Sequence, residues 1–190
     1  MNADALSDLV LALACGAVAF AHWRTRPALA LACGLFGLAA SFGVLRYSEI
    51  DFALGPHRFF SLLAACAGYP LAAVALCWPG GDVGTRANAA VRFILIFGAI
   101  GVALHLSGLA VWRQIMPVIS VLLIVVAAIR LKTSRVIFGA LLLLFSLLVA
   151  GLGQAPEFVL GPFNAIQAMH YSMAAGFLFL AWPMEMTKRT

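Results

Sequence analysis

The chain has 190 residues, of which 64% are hydrophobic and only 10% are charged. A water-soluble domain of this size needs more polar surface, so the composition excludes a soluble globular protein and indicates an integral membrane protein in a lipid bilayer. The formal net charge of +5 comes without a basic patch interleaved with aromatic residues, which argues against nucleic acid as a partner.

Seven apolar segments follow one another along the chain, each near the roughly 20 residues needed to cross hydrocarbon. We predict spans at residues 6–23, 27–46, 58–78, 90–112, 115–131, 135–153 and 162–182. Polar runs separate them, including HWRTRP after the first span and RQIMP, interpreted as a tight turn before the fifth. The predicted fold is therefore all-α, a polytopic bundle of seven transmembrane helices in one domain, residues 1–190.

The short loops on the two sides of this bundle differ in their basic residues, nine on one side and three on the other. The larger set is Arg24, Arg26, Arg86, Arg92, Arg130, Lys132, Arg135, Lys188 and Arg189, and the smaller set is Arg46, Arg58 and Arg113. Lys and Arg are retained on the cytoplasmic side. We therefore predict an outside N-terminus and a cytoplasmic C-terminus in a bacterial-type inner membrane.

The predicted fourth span carries a histidine among glycines. Gly98, Gly101, His105 and Gly108 recur at three- and four-residue spacing and would form one stripe of a helix. Because glycine has no side chain, this stripe would leave room beside the imidazole. An ionisable residue within a span is a functional-site hypothesis by default. At 1.5 Å per residue, His105 would lie about 10 Å from the outer end of its span.

The predicted seventh span carries a polar stripe made of Asn164, Gln167, His170 and Tyr171. Unpaired polar groups are costly in lipid, so the stripe is expected to face the bundle interior. His170 would lie about 12 Å deep, level with His105, while His57 begins the third span on the same side. This coincidence predicts a histidine-lined cofactor pocket in the periplasmic half of the membrane.

The first hypothesis for this pocket is a b-type haem in a redox or electron-transfer protein. Membrane haems are held by two axial histidines at one depth, with small residues beside the ring and cations beside the propionates. The outer position suggests electron exchange with quinone or a periplasmic redox partner. The binding residues predicted on this hypothesis are His105, His170, Arg46, Arg58, Gly101 and Gly108, with Arg113 as another partner for a propionate.

The second hypothesis is a zinc site in an intramembrane lipid hydrolase, with copper as a variant because methionines lie nearby. The predicted ligands are His57, His105 and His170. A base or fourth ligand would come from Glu49, Asp51 or Glu157, and further pocket residues would be Asn164, Gln167 and Tyr171.

With seven predicted spans, a predicted outside N-terminus and three histidines, the chain resembles in outline the ceramidase-like family of membrane hydrolases. The resemblance covers architecture only. That family carries paired histidines on its last helix, where this chain has His170 alone, and its Ser-x-x-x-His arrangement is absent. His57 and Ser61 occur in the reverse order.

The third hypothesis is a non-catalytic subunit or scaffold, in a homo-oligomer or a larger membrane complex. In that case the histidines and amides would be hydrogen-bonding residues between helices, and the glycines would be close-packing positions. The sequence leaves the three hypotheses open.

Overall fold

The computed structural model describes residues 2–152 and 159–181, and this part of the chain is almost entirely helical. The elements are α1 (Ala3–His22), α2 (Pro27–Tyr47), a 3-10 turn (Asp51–Ala53), α3 (Leu54–Leu63), a π-helical segment (Ala64–Gly68), α4 (Tyr69–Cys77), α5 (Asp82–Thr85), α6 (Ala87–Leu106), α7 (Trp112–Leu131), α8 (Ser134–Leu152), the strands β1 (Val159–Leu160) and β2 (Phe163–Asn164), and α9 (Ala165–Ala181). Glu157, Trp182, Lys188 and Arg189 lie outside the described residues.

Six helical segments in the described ranges are long and apolar enough to cross a membrane, which indicates a multi-pass membrane protein. The third of them runs from Asp51 to Cys77 through α3, the π-helical segment and α4. α9, the counterpart of the predicted seventh span, is a shorter apolar helix of 17 residues. The all-α prediction is confirmed at this level.

α6 ends six residues before the predicted end of its span, at Leu106. Gly108 has φ +82°, which glycine adopts without steric cost. Its N–H donates to the His105 carbonyl at 3.2 Å, and the Leu109 N–H donates to the Leu104 carbonyl at 2.9 Å. This is the Schellman pattern of helix termination. Gly108 therefore lies beyond the helix and outside the predicted stripe, and His105 lies in the last turn.

α7 begins at Trp112 and continues through Pro117, so the RQIMP run is helical and not a turn. The hydroxyl of Ser120 donates to the Met116 carbonyl at 2.7 Å, which adds a local bond beside the proline. The actual reversal between α6 and α7 lies at the Gly108 turn.

The third span contains a wide turn over Ala64–Gly68, where the Tyr69 N–H donates to the Ala64 carbonyl five residues back. Pro70 follows directly and has no N–H to continue a regular ladder, so the altered bonding pattern lies where the helix is already interrupted. Small residues fill this segment, which lets neighbouring helices approach it closely.

The core lies between α1, α2, α4, α7, α8 and α9. Phe36 is at its centre, with its ring centroid 4.7 Å from that of Tyr69 and 4.8 Å from that of Phe177. α6 lies at the edge, and its glycines face the third span. A Cβ at Gly101 would lie 2.7 Å from the Cys66 Sγ. Gly101 is therefore a close-packing position and does not border open space.

Candidate functional site

Polar side chains of α1 and α9 pair at the end of the bundle predicted to be outside. The Asp4 carboxylate accepts hydrogen bonds from Asn164 Nδ2 at 2.9 Å and from Gln167 Nε2 at 2.7 Å. The Asn164 side chain also accepts from the Gln167 N–H at 2.9 Å and so caps the start of α9. Asp4 thereby fixes the first turn of α9 against the first turn of α1.

One turn further into both helices, His170 meets Ser7 and Asp8. The His170 Nδ1 is 3.0 Å from the Ser7 Oγ and 3.4 Å from the Asp8 Oδ1. All three residues are buried, with Asp8 only 1% exposed. The Asp8 carboxylate also packs against Gly43 of α2, where a Cβ would lie 2.6 Å from the Asp8 Cγ.

The hydrogen-bond partners of each imidazole favour a proton on Nδ1. The Ser7 hydroxyl donates to the Asp4 carbonyl at 2.8 Å, so its oxygen accepts from the His170 Nδ1–H. The His57 Nδ1 is 3.0 Å from the Ala39 carbonyl oxygen, which can only accept, so this Nδ1 also donates. In the neutral form both rings therefore keep a lone pair on Nε2.

His57 and His170 line one small cavity of about 200 Å³ between α1, α2, the third span, α8 and α9. Other side chains on its wall are Asp8, Ser61, Tyr69, Met169 and Met173. Neither Nε2 atom makes a hydrogen bond within residues 2–152 and 159–181. The small cavity thus combines two oriented imidazoles with a largely apolar wall.

A second, larger cavity of about 1060 Å³ lies between α3, α6, α7 and α8 and opens to the surface. Its polar lining residues are Arg46, His57, Arg58, Ser61, His105, Arg113 and Gln114. His57 and Ser61 line both cavities, so the two share one wall.

The predicted histidines are thus divided between two cavities. His105 is exposed and lines the large cavity, His170 is buried and lines the small one, and His57 borders both. Within the described ranges, no three His, Cys, Asp or Glu side chains are placed to hold a metal ion together. The pairing of His105 with His170 gains no support from this arrangement.

The remaining predicted pocket residues lie outside both cavities. Glu49 and Asp51 are exposed between α2 and α3. Tyr171 is half-buried, and its ring centroid lies 5.4 Å from that of Phe163. Asn164 and Gln167 bind Asp4 and belong to the contact between α1 and α9.

Ser7 and Asp8 are the site residues that the sequence interpretation missed. The available signal was the spacing of Asp4, Ser7 and Asp8, which places three polar groups on one helix face. At successive turns this stripe meets the polar stripe of the seventh span: Asp4 binds Asn164 and Gln167, and Ser7 and Asp8 meet His170.

No family model, curated protein or solved structure matches this chain. The geometry of the two cavities is therefore the basis for a functional proposal.

Proposed function

We propose that this chain is a membrane-embedded metalloprotein whose metal ion is bound by the Nε2 atoms of His57 and His170. The observation that carries the proposal is that both rings line one cavity with Nδ1 engaged as a donor and Nε2 unpartnered among the described residues. Histidines that bind metals usually donate their other N–H to a carboxylate or a backbone carbonyl. His170 and His57 follow this rule through the Ser7–Asp8 pair and Ala39.

The donor set suits zinc or copper. Imidazole binds both metals, and thioether sulfur favours copper(I). The Met169 and Met173 side chains line the same cavity, although the Met173 Sδ also accepts the Tyr69 hydroxyl at 3.7 Å. Catalytic zinc sites have three protein ligands and one position for water, so zinc held by two protein nitrogens would leave more than one position for water or substrate.

Hydrolysis of a membrane-borne substrate is the activity we assign to the zinc form. Bound zinc makes water a nucleophile near neutral pH. Hydrolysis adds the hydroxyl of that water to an acyl or phosphoryl centre and its proton to the leaving group. His57 and His170 would hold the metal, and the buried Asp8 would keep the His170 ring in the correct orientation.

We also propose that the chain crosses a bacterial-type inner membrane seven times, with α9 as the seventh span and the N-terminus outside. The unequal distribution of Lys and Arg supports this topology. The Asp4, Asp8 and His170 groups would then lie at the periplasmic side. This placement gives the metal site access to the outer leaflet.

Metal analysis of the purified protein tests the proposed function. The chain should be produced with a tag that lacks histidine and purified in mild detergent. We expect about one zinc or copper per chain. The His57→Ala and His170→Ala variants should lose it, while His105→Ala should keep it because His105 lines only the large cavity.

Two results would contradict the metal site. One is wild-type protein that stays free of metal after incubation with zinc or copper salts. The other is full metal content in a folded His57→Ala/His170→Ala double variant, with folding checked by thermal unfolding and gel filtration.

Haem b in a redox protein is the second candidate. It is supported by the lining of the large cavity, where His57 and His105 occur together with Arg46, Arg58 and Arg113. Imidazoles would bind the iron and the arginines would pair with the propionates. A visible absorption spectrum tests it: a Soret band that is lost in His105→Ala but kept in His170→Ala would favour haem. Protein without haem or metal would favour the scaffold hypothesis.

A further inference from the structure

Three arginines contribute to the lining of the large cavity. Arg46 lies at the end of α2, Arg58 lies early in α3, and Arg113 is the second residue of α7, so three elements contribute one cation each. All three residues are exposed, and none forms a salt bridge with an acidic side chain in the described part of the chain. The lining contains no Asp or Glu.

Much of the remaining lining of the same cavity is apolar. Its apolar side chains include Leu62, Val102, Leu106, Val118 and Leu147. A volume of about 1060 Å³ is large enough for a head group together with part of an acyl chain. The cavity therefore fits a molecule with an anionic end and a hydrocarbon body.

Electrostatics favour an anion over a neutral or zwitterionic ligand. Arginine binds phosphate and carboxylate oxygens through its planar fork of donors, often with two parallel hydrogen bonds. Three such groups around a cavity whose lining has no acidic residue give a net positive field there. A free soluble anion would use the arginines but not the apolar wall.

We propose that the large cavity binds an acidic lipid, with its anionic head group at Arg46, Arg58 and Arg113 and its acyl chain along α6 and α7. The assignment of this lipid as substrate rests on the proposed function. His57 and Ser61 line both the large cavity and the small cavity of the proposed metal site. A head group bound in the large cavity would therefore lie close to that site.

Lipid binding can be measured without any catalytic assay. The purified protein in detergent is titrated with phosphatidylglycerol, phosphatidylcholine of the same acyl chains, or inorganic phosphate, and bound lipid is read by native mass spectrometry. We expect at least about tenfold tighter binding of phosphatidylglycerol than of phosphatidylcholine, since charge-assisted contacts are lost with a zwitterionic head group. Phosphate alone should compete poorly.

Two variants of equal net charge distinguish lipid binding at these three arginines from general electrostatic attraction to a basic protein. The Arg46→Gln/Arg58→Gln/Arg113→Gln variant should lose the preference for phosphatidylglycerol. The control Arg24→Gln/Arg86→Gln/Arg92→Gln has the same net charge and should retain it, because these residues line neither cavity. Unfolding temperatures of both variants confirm that each is folded.

The outcomes also separate the two proposals. Retention of the lipid preference in His170→Ala would support the lipid site whether or not a metal is bound. Equal binding of the two lipids, an unchanged preference in the folded Arg46/Arg58/Arg113 variant, competition by phosphate as strong as that by lipid, or haem in this cavity would each overturn the lipid site.

Discussion

At the scale of single residues, Asp8 is the most constrained polar group of the molecule. Its side chain is buried between Gly43 of α2 and His170 of α9, and its Oδ2 has no hydrogen-bond partner among the described residues. A buried carboxyl group without a full set of hydrogen bonds is costly, so Asp8 does not stabilise the fold by its burial. Its Oδ1 lies 3.4 Å from the His170 Nδ1, and we interpret its role as orientation of the His170 ring.

Removal of the Asp8 carboxyl group should weaken metal binding without abolishing it. Asp8→Asn keeps the size of the side chain but removes the carboxylate near the His170 Nδ1. Loss of such an outer partner typically lowers metal affinity about 10- to 100-fold. Isothermal titration of the metal-free protein with zinc measures the change.

Glu49→Gln is the control for this experiment, because it removes one negative charge from an exposed loop position. Its zinc affinity should equal that of the wild type. If Asp8→Asn and Glu49→Gln bind zinc equally well, Asp8 does not act on the metal site.

The Asp8 carboxyl group fits in its position only because Gly43 has no side chain. In Gly43→Ala the new methyl group would overlap the Asp8 carboxylate, which cannot move into water. We expect a loss of about 1–3 kcal/mol in the free energy of unfolding, the usual cost of overpacking. Denaturant unfolding in detergent measures it.

Gly34→Ala lies in the same helix, where nothing is within 4 Å of the added atom, and serves as the matched control. It should be neutral or slightly stabilising, since alanine favours helix over glycine. Equal stability of the Gly43→Ala and Gly34→Ala proteins would show that the contact between Asp8 and Gly43 is looser than the structure indicates.

At the scale of helices, glycine contacts set how closely the elements approach. Gly139 of α8 and Gly176 of α9 face each other, and a Cβ at Gly139 would lie 2.9 Å from the Gly176 carbonyl oxygen. Small residues allow such backbone contact between membrane helices, where van der Waals packing replaces the hydrophobic effect as the driving force. This contact holds α9, and therefore His170, against the bundle.

Gly139→Ala should force α8 and α9 apart, because the obstructing atoms are two backbone atoms, of Gly176 and Leu180, and the Cβ of Phe179. We expect a loss of about 1–3 kcal/mol in the free energy of unfolding. Since His170 lies on α9, zinc affinity should fall in the same variant. Thermal unfolding and zinc titration on one preparation provide both values.

Gly151→Ala is the control on the same helix, because no atom of the described residues lies within 4 Å of its added methyl group. It should leave both stability and zinc affinity unchanged. A Gly139→Ala protein as stable as Gly151→Ala would contradict the close contact of α8 and α9.

At the scale of the whole molecule, the distribution of basic residues between the two ends of the bundle can be compared with the lining of the large cavity. Arg46, Arg58 and Arg113 are the three basic residues at the end predicted to be outside, and all three line the large cavity. Basic residues are disfavoured on that side of a membrane, so their presence there is better explained by a ligand than by topology. The orientation of the chain is therefore a direct test of the site.

Cysteine labelling in intact cells distinguishes the two orientations. Ser48→Cys lies in the exposed loop after α2, and Ser134→Cys lies at the exposed start of α8. With the N-terminus outside, a membrane-impermeant maleimide should label Ser48→Cys but not Ser134→Cys. The wild-type protein controls for its own four cysteines, and the reverse labelling pattern would invert the topology.

The sequence predicted those features that depend on local pattern. Apolar runs gave the spans within a few residues for most helices, and the spacing of Asn164, Gln167 and His170 gave a polar face on α9. It failed at the end of α6, because a single left-handed glycine at 108 ends the helix inside an otherwise apolar run. It also failed to pair α1 with α9, since their contact joins residues about 160 positions apart.

What the sequence by itself determined is the class of molecule: composition and run length require helices that can cross a membrane, because no other arrangement hides so much apolar surface. Only the tertiary structure decided which histidines share a cavity. His170 faces His57 and Asp8, while His105 faces the arginine-lined cavity. Depth along a helix follows from residue counting, but the direction of a side chain around the bundle depends on which helices are neighbours. That choice is made by packing over the whole chain.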